Sequence, residues 1–163
     1  MIICTFEDGS TSNLRHVAVG CIVIKDSQIL LAKRSYRLVE GGKWCLPGGF
    51  MDIGESTLEA TKREVKEETG WDVDNLQLLG INDSPKRPDP RQTIEFIYIG
   101  EATTQISQTD WETEETAWFP LTSLPSPEDF AFDHLDSIRL YISYLREPFS
   151  LPVIYTQDMP SLA

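Results

Sequence analysis

Residues 49–71 read GFMDIGESTLEATKREVKEETGW, and this stretch decides the fold around it. Ser56-x-x-Glu59 is a capping box, with Ser56 as N-cap and Glu59 reaching back to its amide. Thr57 to Thr69 contains no proline or glycine, and Gly70 can take positive φ and stop a helix there. The spacing therefore predicts a helix over 57–69. On it Glu64, Glu67 and Glu68 stand at i, i+3 and i+4, so three carboxylates share one face.

Like charges at that spacing repel by a few tenths of a kcal/mol per exposed pair, and by more when desolvated. Arg63 can bridge back to Glu59 or forward to Glu67, but one arginine does not balance the set. A hard divalent cation with oxygen ligands resolves the conflict, Mg²⁺ being held by a few carboxylates with water and substrate phosphate. The plain alternative is a solvated, glutamate-rich face. Against it stands the whole constellation: Gly49, Glu55, Arg63, Glu64, Glu67, Glu68 and Gly70 at fixed spacing arise by chance in roughly one chain in a million.

This pattern resembles the Nudix box, G-x5-E-x7-R-E-U-x-E-E-x-G-U, with Val65 and Trp71 in the two bulky apolar slots. The preceding Trp44-Cys45-Leu46-Pro47-Gly48-Gly49 is similar to the family's lead-in. The resemblance implies pyrophosphate-bond hydrolysis with Mg²⁺ or Mn²⁺. Glu64, Glu67, Glu68 and the Gly49 carbonyl are the implied metal ligands. Glu64 is also implied in deprotonating water, Glu55 in orienting the site, and Arg63 in holding the carboxylates by hydrogen bonds.

The chain has 163 residues, 40% hydrophobic and 25% charged, ordinary for one globular domain with a real core. No apolar run approaches the roughly 20 residues of a membrane span. The N-terminus MIICTFEDGS lacks the basic and apolar regions of a signal peptide. Cys4, Cys21 and Cys45 read as reduced thiols, which points to a cytoplasmic protein. The net charge of −12 argues against nucleic-acid binding. A bound cation inverts the local field and lets an acidic site attract phosphate. Lys33, Arg34 and the Lys86/Arg87/Arg91 group are the candidate substrate-side cations.

Along the chain, residues 16–25 form an apolar strand, Asp26-Ser27 a turn, and Gln28 to Arg34 the returning strand. Residues 35–43 are a polar loop, and 44–51 a glycine-punctuated approach to the helix. Strands are expected at Val73–Ile81, Thr93–Ile99 and Glu115–Phe119, with a proline-rich loop over 82–91. After a connector over 120–129, a second helix is expected from Phe130 to Arg146. Its apolar stripe is Leu135, Ile138, Ile142 and Leu145. One domain spans 1–163, its core about 15–146, with a partly ordered tail over 147–163. Mixed strands around two helices give an α/β sandwich. The family resemblance sharpens this to an α/β/α sandwich with a mixed central sheet.

Substrate signals are thinner. Pro85, 15 residues past Gly70, the Asp89-Pro90-Arg91 triplet, and the 115–121 and 130–134 segments resemble the ADP-ribose pyrophosphatase group. That likeness implies ADP-ribose as substrate, a homodimer, and Arg34, Arg87 and Arg91 as substrate-binding residues. A nucleoside triphosphate pyrophosphohydrolase, or a non-catalytic nucleotide-sensing module, are the alternatives. His134 reads as a capping or packing residue, and the four tryptophans as packing rather than base-stacking groups.

Overall fold

Asp26 and Ser27 both adopt left-handed backbone, with φ of 49° and 63°. Such a two-residue turn matches the twist of the strands it joins. Those strands are β3 (Val17–Lys25) and β4 (Gln28–Arg34), antiparallel with Lys25 opposite Gln28. The computed structural model describes residues 2–85 and 92–155. Ahead of β3 lies a separate hairpin, β1 (Ile2–Thr5) and β2 (Thr11–Leu14). Then follow β5 (Trp44–Cys45), β6 (Gly48–Phe50), α1 (Thr57–Thr69), β7 (Trp71–Asn82), β8 (Ile94–Gln105) and β9 (Thr113–Pro120). Helix α2 (His134–Arg146) and β10 (Val153–Tyr155) complete the elements among the described residues.

The main sheet runs β10-β7-β8-β3-β4-β5, with β6 on β3 and β9 on β4. It is mixed: β3 is parallel to β8 and β10 to β7, while the other pairings are antiparallel. Strand periodicity splits the core into two layers. Ile22, Ile29, Leu31 and Ile97 face α2 and pack with Ile138 and Tyr141. Cys21, Val23, Leu30 and Tyr98 point the other way and pack with Val65 of α1. Both faces are covered, which is why β3 and β4 read as nearly continuous apolar runs. The fold is the expected α/β sandwich with a mixed sheet between two helices.

Helix α1 has the expected bounds, with both halves of the capping box formed and Gly70 left-handed at φ 75°. Three expectations need correction. The second helix starts at His134 rather than Phe130. Phe130 is extended and bridges to Trp44, the Ala131 amide donates to the Trp44 carbonyl, and Phe132 is left-handed at φ 53°. These residues bind the neighbouring strand before the helix can begin. Leu145 is exposed, and Leu140 and Tyr141 are buried instead, so the stripe turns away from the expected line. The segment read as a partly ordered tail contributes β10, whose Tyr155 is buried and bonded to the Ser137 hydroxyl.

Candidate active site

Gly48 and Gly49 bring backbone close to two carboxylates of α1. Gly48 stands where a Cβ would meet the Val19 carbonyl at 2.2 Å, so only glycine lets β6 lie on β3 there. Its amide donates to Glu68 Oε2 at 3.0 Å. At Gly49 a Cβ would lie 2.6 Å from Glu64 Oε2, so the absent side chain leaves room for that carboxylate. The three glutamates that share the helix face differ in depth. Glu68 is buried, Glu64 largely so, and Glu67 stands half exposed on the rim. Burial pushes the Glu68 carboxyl up to about 8 and raises that of Glu64 as well.

Arg63 organises the rim. It donates to both Glu55 oxygens (2.7 and 3.1 Å), to Glu64 (2.7 Å), to Glu67 (3.2 Å) and to the Phe50 carbonyl (3.0 Å). Of the two bridges open to Arg63, the forward one to Glu67 forms, and Glu59 is taken up by the amide and hydroxyl of Ser56. Glu55 also accepts from the Asp52 amide, and the Arg63 guanidinium with that bond holds its carboxyl down to about 2. The guanidinium thus fastens the 50–55 turn to the helix and aligns the outer carboxylates.

These groups line a cleft of about 440 Å³. Its other walls are Arg34, Leu38, Phe132, His134, Glu95, Asp110 and Glu112, among others. The Arg34 guanidinium lies 5.0 Å from the Phe132 ring and donates to the Val39 carbonyl. Left-handed backbone is rare for so bulky a residue, and at Phe132 it turns the chain at the cleft wall. The Asp110 amide donates to the Glu67 carbonyl, which draws the 106–112 turn against the end of α1. Arg87 and Arg91, and Lys86 beside them, lie outside the described residues. Lys33 is engaged elsewhere, with Glu115 at 3.5 Å and over the Trp44 ring.

Sequence reasoning did not single out Asp52, Glu95, Asp110, Glu112 or Phe132. For Glu95 a signal existed. In a strand of period two it occupies the register of Ile97, a core position, and is only 5% exposed. A carboxylate at such a position is rarely structural filler. Asp110 and Glu112 are brought in by the loop's path, which leaves no local mark. His134, read as a capping or packing residue, accepts the Leu46 amide on Nδ1 at 3.0 Å and has Nε2 3.6 Å from Glu95.

With seven carboxylates against Arg34 and Arg63, the cleft is strongly negative. Among the described residues no three His, Cys, Asp or Glu side chains form a ready-made ligand set. The donor set itself consists of hard oxygens, partly desolvated beside a side-chain-free glycine, and it suits a divalent cation.

The NUDIX domain family matches residues 14–141. The chain belongs to that family and is a Nudix pyrophosphohydrolase. It is similar to the ADP-ribose pyrophosphatase of Methanocaldococcus jannaschii, 39% identical over 129 residues, covering 78% of this chain and 73% of that enzyme. It is also 32% identical over 152 residues to the human 8-oxo-dGDP phosphatase NUDT18, covering 91% of this chain but only 45% of that protein. In fold it resembles a crystal structure of a NUDIX hydrolase from Nitrosomonas europaea. The TM-score is 0.75 at 23% identity, covering 91% of this chain and 84% of that one.

Proposed function

We propose that the protein hydrolyses the diphosphate bond of a nucleoside diphosphate linked to a second moiety, with ADP-ribose giving AMP and ribose 5-phosphate. The observation that carries this reading is the carboxylate face of α1, held against Gly48 and Gly49 and edged by Arg63. Glu64, Glu67, Glu68 and the Gly49 carbonyl would hold Mg²⁺ or Mn²⁺. A bound cation of this kind supplies charge neutralisation for the phosphoryl oxygens and acidifies a bound water. Glu64, largely desolvated and with a raised pKa, is suited to take a proton from the attacking water. Arg63 keeps Glu64 and Glu67 in place, and Glu55 anchors Arg63. Arg34, stacked on Phe132 across the cleft, supplies a positive wall for the substrate's phosphate or base. Arg87 and Arg91 remain proposed substrate contacts from the loop outside the described residues.

The choice of ADP-ribose rests on the 39% identity to an enzyme of that name. A second reading, an 8-oxo-dGDP phosphatase, is favoured by the likeness to NUDT18, which extends over 91% of the chain. We further propose a cytoplasmic homodimer acting on small molecules and not on nucleic acid. Among the described residues no helix is long and apolar enough to cross a membrane. Competing ADP-ribose, 8-oxo-dGDP and nucleoside triphosphates in one Mg²⁺ assay, with product chromatography and light scattering, tests these readings together. AMP and ribose 5-phosphate as leading products from a dimer are expected. A monomer that releases pyrophosphate from triphosphates and leaves ADP-ribose intact would overturn the substrate and the dimer alike.

A further inference from the structure

We infer that His134 is a positioning residue, fixing through Nδ1 the backbone that presents Gly48 and Gly49 to the carboxylates of α1. The inference rests on the proposed reading of that face as a cation site.

His134 is the first residue of α2 and is only 8% exposed. Its Nδ1 accepts the Leu46 amide at 3.0 Å, across 88 positions of sequence. Leu46 lies two residues before Gly48, whose amide is held by Glu68. The segment from Trp44 to Gly49 is tied at further points. The Ala131 amide donates to the Trp44 carbonyl at 2.8 Å, and the Cys21 amide to the Pro47 carbonyl at 2.9 Å. Two of the ties come from side chains in the cleft wall, Glu68 of α1 at Gly48 and His134 of α2 at Leu46. The His134 tie joins the frame built on α2 to the frame built on α1.

The chemistry of the contact is specific. An imidazole accepting on Nδ1 carries its proton on Nε2. That nitrogen faces the Glu95 carboxylate at 3.6 Å on the cleft side. The ring thus has a fixed orientation, with one nitrogen for the loop and the other for the cleft. Removing the acceptor leaves the Leu46 amide buried without that partner and frees the loop to shift. Groups that orient metal ligands from outside the ligand set typically cost 10- to 100-fold in metal affinity when lost. A histidine that merely filled space would cost stability and leave the cation untouched.

Two near-isosteric replacements separate these roles. Asn places its amide oxygen near the position of Nδ1, where it can accept from Leu46. Gln carries the same group one methylene further, toward the position of Nε2. Mn²⁺ binding, read as loss of the free-ion EPR signal, requires no turnover. His134→Asn should bind Mn²⁺ within about threefold of wild type, while His134→Gln and His134→Ala weaken it about 10-fold or more. If the Ala variant does not fold, the contrast between Asn and Gln still decides. Equal Mn²⁺ affinity for Asn and Gln, or a fall in Tm with affinity unchanged, would overturn the inference. Wild-type protein that binds no Mn²⁺ would overturn the cation site itself, a failure distinguishable from the first.

Discussion

Helices α1 and α2 are both 13 residues long and lie on opposite faces of one sheet, yet they are held in opposite ways. The inward face of α2 is mainly apolar: Ile138 is fully buried and Leu140 and Tyr141 nearly so, with His134 and Ser137 beside them. Its ends are plainly finished, with no side-chain cap bond at Asp133 and no left-handed residue at Glu147. On α1 the only large apolar residue fully buried is Val65; its other buried residues are Ala60, Thr61, Thr69 and one glutamate, Glu68. Its ends carry both halves of a capping box and a left-handed glycine. A helix that gives its inner face to charge must be fastened at its termini and by its arginine. One held by apolar burial can leave its termini bare. The difference gives α2 the larger apolar burial and α1 three of the cleft's carboxylates.

The largest effect should come from the apolar helix. Ile138→Ala removes a fully buried side chain and should cost about 2–5 kcal/mol in urea unfolding, with kcat of the folded fraction nearly kept. A large loss of kcat per folded molecule would blur the division between the helices.

On α1 the balance should reverse. Glu67→Gln keeps shape and removes charge from a half-exposed position, so Tm should hold while kcat falls about 10²-fold. Glu59→Gln, whose carboxylate serves the cap, should cost little activity. Equal losses in the two variants would mean that the active face is misassigned. Ser56→Ala removes a cap acceptor and should cost about 1 kcal/mol of stability, seen in chemical denaturation, with metal affinity unchanged.

A further effect is a dependence on pH. Folding pushes the Glu68 carboxyl from its ordinary 4.5 up to about 8. Between those values the folded protein holds a proton that the unfolded chain releases. The stability of cation-free protein therefore falls as pH rises through that window. Tm in EDTA should drop by several degrees from pH 5 to pH 8, and Glu68→Gln should flatten the slope. A Tm that rises over that range in wild type and variant alike would show that Glu68 keeps its charge when buried.

Much of this was legible in the sequence because it is local. The capping box, the Asp26-Ser27 turn and the carboxylate spacing are each set by residues within a few positions of one another. The bounds of α1 follow from Ser56 and Gly70 without reference to the sheet. What was not legible depends on distant partners. Phe130 to Asp133 carry helix-compatible residues, but Trp44 takes their backbone into a bridge and delays α2 to His134. Residues 153–155 look like tail until the edge of β7 receives them as β10. The cleft follows the same rule. Glu64, Glu67, Glu68 and Arg63 are readable from one helix, whereas Glu95, Asp110, Glu112 and Phe132 arrive from three other segments.

The claim that α1 is a cation-dependent hydrolytic face is tested most directly by diphosphate cleavage in wild type and Glu64→Gln, at matched Mg²⁺ and with Tm recorded for both. The account predicts that wild type cleaves ADP-ribose or a related nucleoside diphosphate compound and that EDTA abolishes the reaction. It also predicts that Glu64→Gln loses about 10²-fold or more in rate with Tm maintained. Wild-type cleavage indifferent to EDTA, or a Glu64→Gln protein as fast as wild type, would contradict it.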